Sequence, residues 1–223
     1  MFACCTGDEK VGQQGVPSPA AELVDLKSEF APAPAVESLP RPAAAGATLV
    51  IELDRSGTVK DLGLSLDSTD EDLCIIKDIS QEGIVMKYNM TCPAGKAIKI
   101  YDRIVSLNGK RGSLTEFTKV LADSKDQNTL IIEVVQPTET SVLFKQPGDF
   151  GITLNYKRAS VGLRVMEIHD GLLSEWNKAH PDTPIKSGDL IVAVNGVTNQ
   201  ALSLLQQIKE ANGPVLTVMR YVP

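Results

Sequence analysis

The sequence is poor in the residues that most often carry chemistry. Only two histidines, His169 and His180, occur in 223 residues, and neither stands at a metal-ligand spacing from cysteine or acidic residues. No G-x-S-x-G elbow and no Walker-type phosphate loop is present. These absences argue against an enzyme, and no catalytic residue, metal or cofactor is expected. Basic residues are outnumbered, 22 Lys and Arg against 28 Asp and Glu for a net charge of −6, which excludes the broad basic footprint of a nucleic-acid binder. No apolar run approaches the ~18–20 residues of a membrane-spanning helix. The amino terminus has no secretory-type apolar segment, so a reducing, cytoplasmic setting is expected. Cysteines number four. Cys74, in an apolar run, and Cys92 read as reduced structural thiols. Beside the alternative of unmodified tail thiols, the adjacent Cys4 and Cys5 in "MFACCTG" suit S-acylation, because two acyl chains anchor stably where one does not. That would place the protein peripherally on a membrane.

Residues 1–46 are rich in Pro and Ala and sustain no periodicity, as expected for a disordered tether. Within it, the patch Leu23, Val24, Leu26 and Phe30 has the alternative reading of a short docking motif. From Ala47 the pattern tightens, and it occurs twice. "KDLGLSLDS" (60–68) has a counterpart in "GDFGITLNY" (148–156), and "IKIYDRIVSLNGK" (98–110) in "IKSGDLIVAVNGV" (185–197). Asn89 and Asn177, each behind an aromatic residue, recur in the same way. Such self-similarity marks a duplication and gives two units, 47–136 and 138–223, with so short a connection that they should be close neighbours.

Each unit reads as several short strands and two helices. "DRIVSLNG" and "DLIVAVNG" end in Asn-Gly, a tight-turn signal. An amphipathic helix follows: Leu114, Phe117, Val120 and Leu121 fall on one face in the first copy, Ala201, Leu204, Leu205 and Ile208 in the second. A glycine between two apolar residues, Gly63 or Gly151, interrupts a strand-like run, which marks a bulge or a close backbone approach.

The apolar–Gly–apolar loop together with "SGDLIVAVNG" (187–196) ahead of the long helix resembles the PDZ domain family, over roughly residues 47–223 and twice. The resemblance implies an α+β fold: two PDZ-like units, each a small, partly open antiparallel β-barrel or sandwich of five to six strands capped by two helices. It also implies a scaffold or adaptor whose partners are protein C-termini or internal strand-like segments. In that family the glycine loop folds around a peptide's terminal carboxylate and presents backbone N–H groups to it. The donors here would be the amides of Leu62, Gly63 and Leu64, and of Phe150, Gly151 and Ile152. The peptide would add as a strand beside Ser65, Leu66 and Asp67, or beside Thr153, Leu154 and Asn155. The opposite wall would be the helix, through Leu114, Thr118 and Leu121 in one unit and Ala201, Leu205 and Ile208 in the other.

Two departures stand out. Asp61 and Asp149 replace the family's usual first loop glycine and set a like charge beside an incoming carboxylate, with Lys60 and Lys145 nearby to offset it. Tyr101 replaces the glycine found at Gly188. Leu114 and Ala201, at the position where histidine would select Ser or Thr two residues before the ligand's end, imply an apolar preference there. The alternative function is a structural tether that self-associates through its units. It is similar to the Golgi reassembly stacking proteins in having paired units, but Phe2 stands where N-myristoylation needs glycine.

Overall fold

The computed structural model describes residues 22–25, 36–38 and 46–221, except 68, 71, 72, 146 and 199. In chain order the first elements are β1 (Glu22–Asp25), β2 (Val36–Ser38), β3 (Thr48–Asp54), β4 (Leu64–Asp67), β5 (Cys74–Ile79), α1 (Ile84–Thr91), β6 (Arg103–Leu107), β7 (Lys110–Arg111), α2 (Leu114–Asp123) and β8 (Thr129–Val135). They are followed by β9 (Thr138–Phe144), β10 (Ile152–Tyr156), β11 (Leu163–Ile168), α3 (Leu172–Ala179), β12 (Leu190–Val194), β13 (Val197–Thr198), α4 (Ala201–Glu210) and β14 (Val215–Arg220).

Two antiparallel sheets result, one per repeat. Unit 1 has the order β3-β8-β6-β5-β4, with β7 beside β6. Unit 2 has the same order in β9-β14-β12-β11-β10, with β13 beside β12. Each sheet stays open: among the described residues no ladder joins β3 to β4 or β9 to β10. The second sheet is extended at both edges, by β1 on β10 and β2 on β9. The tail is therefore not wholly without structure. Two short stretches of it satisfy their backbone groups on the edges of unit 2. Of the docking patch, Leu23 and Val24 lie in β1, whereas Leu26 and Phe30, like Cys4 and Cys5, lie outside the described residues.

Alternation builds each core. In β3, Leu49, Ile51 and Leu53 point inward and pair with Val134, Ile132 and Leu130 of β8, while Phe117 and Val120 of α2 close over them. In unit 2, Ile152, Leu154, Val165 and Leu216 meet Trp176 of α3 and Leu204 and Ile208 of α4. The Asn-Gly pairs form tight hairpins with positive φ at both residues, 49° and 77° at Asn108–Gly109 and 54° and 75° at Asn195–Gly196. Each asparagine side chain also accepts from a strand amide at 2.9 Å, Ile131 in unit 1 and Val215 in unit 2. The recurrent Asn89 and Asn177 clamp the loop after the short helix through both side-chain atoms, to Ile98 and to Ile185.

Only Gln136 and Pro137 separate β8 from β9, and the units share a packed contact. Ile75 of unit 1 joins Val161, Leu190, Val192 and Met219 of unit 2, flanked by Leu73, Tyr101 and Tyr221. Polar bonds surround this layer. Buried Asp67, the last residue of β4, accepts from the Val161 amide at 2.7 Å. Lys77 donates to the Ala159 carbonyl at 2.9 Å, Arg164 pairs with Asp70, and the Tyr221 hydroxyl donates to the Tyr101 carbonyl at 2.7 Å. Tyr101 holds φ at +72° where unit 2 has Gly188 at +94°. A left-handed backbone costs a non-glycine residue about 1–2 kcal/mol, and here the ring that replaces the glycine packs into the shared layer.

Candidate functional site

The glycine loop is tied down by the short helix behind it. In unit 1 the amides of Ile84 and Val85, at the start of α1, donate to the carbonyls of Asp61 and Leu62 at 3.0 and 3.2 Å. In unit 2 the amides of Leu172 and Leu173 donate to Asp149 and Phe150 at 2.8 and 3.3 Å. The loop carbonyls thus satisfy the orphan amides of a helix N-terminus. Gly63 and Gly151 have φ of +70° and +62°. A Cβ on Gly63 would lie 2.6 Å from the Cα of Gly83, and one on Gly151 would lie 2.5 Å from the Asp170 carbonyl oxygen. The glycine is required by its backbone conformation and by backbone pressing on backbone.

One amide of the expected anion cradle is already engaged in each unit. The Gly63 N–H donates to Asp61 Oδ1 at 2.9 Å, and the Gly151 N–H donates to Asp149 Oδ1 at 2.9 Å. Both aspartates form Asx-type turns with their own loop. The expectation that all three loop amides stand open to a carboxylate is therefore not met at either glycine. The departure from the family pattern supplies an internal carboxylate where the ligand's was expected.

In unit 1 the candidate residues come together. An open cleft of ≈ 270 Å³ is lined by Leu62, Leu64 and Leu66 on one side and by Leu114, Thr118 and Leu121 of α2 on the other. Ser65 is exposed on β4, the terminal strand of its sheet. The helix register agrees with the sequence: α2 and α4 are ten residues each, starting at Leu114 and Ala201. Ser113 starts α2 with a capping box to Glu116, and α2 ends against buried Arg55, whose Nη1 donates to the Ser124 carbonyl at 3.0 Å. A guanidinium suits the negative end of a helix dipole. Lys60 and Phe117, which the sequence marks as a nearby cation and as part of the helix face, also line the cleft, together with Arg55, Ile104 and Leu107, which the sequence does not mark. Phe117 and Leu107 belong to the core pattern, and a lone arginine before a loop carries no signal of its own. Lys60 Nζ donates to the Arg55 carbonyl, and both residues line the cleft together with Asp61.

In unit 2 the corresponding side chains are shielded. Ile152 and Leu154 are 0% exposed, Ala201 0%, Leu205 7%, Ile208 2% and Phe150 6%. The outer edge of β10 is paired with β1. His169, directly after β11, bonds Thr153 Oγ1 through Nε2 at 3.0 Å, and His180 stacks on Trp176 with ring centroids 4.4 Å apart. Cys74 is buried in the unit 1 core and Cys92 is half-buried, neither in a disulfide. Among the described residues no group of three or more His, Cys, Asp or Glu is placed to hold a metal, and no helix is long and apolar enough to cross a membrane.

No protein-family profile and no curated protein matches the chain. Among solved structures, INAD PDZ45 in complex with NORPA CC-PBM is 18% identical with a TM-score of 0.31, covering 80% of this chain and 94% of that one. INAD PDZ45 in complex with NG2 peptide is likewise 18% identical at 0.31, covering 84% and 96%. Superpositions that loose carry no argument of their own. The repeated strand order, the glycine loop bonded to the short helix and the long helix beside the edge strand do. The chain is a tandem of two PDZ-like units.

Proposed function

We propose that the chain is a non-catalytic scaffold and that unit 1 binds C-terminal or internal strand-like peptides of partner proteins by strand addition to β4. One observation carries the reading: β4 is a sheet edge lying directly beside an apolar cleft that is open to solvent. An unpaired edge supplies main-chain hydrogen bonds and register, and the cleft supplies side-chain selectivity. Leu114 at the mouth of the cleft has no group to pair with a hydroxyl, and leaving one unpaired costs about 1–3 kcal/mol. Apolar ligand side chains are therefore preferred there. Because Asp61 already fills the Gly63 amide, a terminal carboxylate must compete with a tethered one, and internal strands are admitted alongside C-termini.

The test is to select peptides against the full chain from a library synthesised with free and with amidated C-termini. We expect apolar sequences, with free acid and amide within about threefold in affinity. Replacing Asp61 with glycine should widen that gap towards tenfold in favour of the free acid. Replacing Leu114 with histidine should shift the preference to Ser or Thr two residues from the end. No peptide binding at β4, with concentration-dependent self-association instead, would overturn the scaffold reading and favour a tether.

A further inference from the structure

β1 occupies in unit 2 the place a peptide would take in unit 1. It runs antiparallel along the outer edge of β10, with Glu22 opposite Tyr156, Leu23 opposite Asn155, Val24 opposite Leu154 and Asp25 opposite Thr153. Its chain direction leads towards Gly151 and the loop. β10 corresponds to β4 in sheet order, and the side chains of the β10–α4 groove are shielded while their unit 1 counterparts are not. A second contact holds the same tail in place. Val36–Ser38 pairs with the opposite edge of the sheet, Val36 opposite Phe144, Glu37 opposite Leu143 and Ser38 opposite Val142. Only residues 26–35 separate the two paired stretches, so β1 needs to close a short tether to reach its edge.

We propose that residues 22–25 are a built-in ligand of unit 2, an internal strand that occupies its peptide edge and must be displaced before a partner strand can bind there. The proposal rests on the reading that this type of groove binds peptides, and it adds the occupant and the regulation. A tether of ten residues holds its end at an effective concentration of about 1 mM. A segment with an intrinsic Kd of about 100 μM at that concentration fills the edge roughly nine-tenths of the time. It raises a competitor's apparent Kd about tenfold. Unit 1 then serves partners at any time, and unit 2 only those that outcompete the tail or remove it. An edge covered by the chain's own strand is also protected from unwanted pairing.

The test uses the full chain with Leu23→Pro and Val24→Pro combined. Neighbouring amides in a strand point to opposite sides, so one of the two prolines deletes an amide directed at β10 whichever way the ladder is phased. Amide hydrogen exchange across residues 152–156 should accelerate at least tenfold in the variant. A synthetic AAELVDLKS peptide (residues 20–28) should bind the variant about tenfold more tightly than the parent, with chemical-shift changes at residues 152–156. A second variant leaves both strands intact and inserts thirty Gly and Ser residues between Asp25 and Val36. Effective concentration falls roughly as the −3/2 power of tether length, about eightfold for a tether four times as long, so the same peptide should bind about fivefold more tightly than to the parent. Unchanged exchange at 152–156 overturns the proposal, as does an edge that opens yet binds the peptide no better than the parent does. A library-selected apolar peptide is titrated in parallel and read at residues 64–67. Its binding there with an unchanged β10 sinks this inference alone, and its failure to bind sinks the scaffold reading.

Discussion

Leu64, Leu66, Leu114, Thr118 and Leu121 in unit 1 keep part of their surface in water, whereas Ile152, Leu154, Ala201, Leu205 and Ile208 in unit 2 are at most 7% exposed. The two sets occupy equivalent positions on equivalent elements, and the loops beside them share the same aspartate-to-glycine bond and the same anchoring to a short helix. What differs is the edge. β4 ends its sheet, and β10 is followed by β1. A duplicated framework has kept its geometry while its two edges differ, one terminal in its sheet and one paired with the chain's own backbone.

A charge placed in each groove should separate the two units most sharply. Leu121→Asp should abolish peptide binding at unit 1, with a loss of at least thirtyfold in affinity, while costing the fold no more than about 1–2 kcal/mol because the site is half-open. Ile208→Asp buries an unpaired carboxylate at a residue 2% exposed and should cost about 4 kcal/mol or more. Urea denaturation and peptide titration of both variants separate the outcomes. Equal stability losses would mean that the two grooves are equally closed.

A second contrast concerns the buried aspartates that precede the Asn-Gly strands. Asp189 is held by Arg220, whose Nε donates to Oδ1 at 2.9 Å, and by the Lys186 amide. Asp102 accepts from the Lys99 amide at 2.8 Å, with Gln136 in the place of the arginine. Burial pushes the Asp102 carboxyl up to about 6, against the opposing pull of the Lys99 amide and the Gln136 side chain. The folded value lies above the ordinary 3.8, so the native state holds the extra proton between about pH 4 and 6. This group's contribution to stability is complete below that window and is lost as pH rises through it. Asp102→Asn, which imitates the protonated acid, should match the parent near pH 4 and exceed it by about 2–3 kcal/mol above pH 7. Asp189→Asn should instead destabilise at pH 7 by about 1.5–3 kcal/mol through the weakened bonds to Arg220. Thermal melts from pH 4 to 8 check both signs.

The smallest effect is expected between the units. Tyr221→Phe removes the bond to the Tyr101 carbonyl from a buried layer and should cost about 1 kcal/mol, read as a lower denaturation midpoint within one shared transition. Two separated transitions in the parent would show that the units do not act as one body.

Much of the framework was legible in the sequence because its signals are local. Alternation gave the strands, Asn108–Gly109 and Asn195–Gly196 gave the hairpins, and the apolar spacing from Leu114 and from Ala201 gave the groove helices in register. Asn89 and Asn177 were visible as a recurrence, but their task of clamping a loop depends on where Ile98 and Ile185 return in space. The aspartate-to-glycine bond was hidden for the opposite reason. Asp61 and Asp149 were visible as departures, yet whether a carboxylate faces solvent or its own loop amide depends on a turn only two residues wide. Tyr101 at positive φ runs against local preference and is explained by the neighbouring unit. The pairing of Glu22–Asp25 was least legible: four residues in a Pro- and Ala-rich stretch have no periodicity to reveal a partner 128 to 134 positions further along the chain.

Whether one groove is open and the other covered is decided by mapping a saturating apolar nonapeptide onto the 223-residue chain by backbone amide NMR. Shift changes are expected along residues 62–67 and 114–121 at peptide concentrations that leave residues 150–156 and 201–208 unmoved. Equal responses in the two sets, or a response in the second alone, would contradict it.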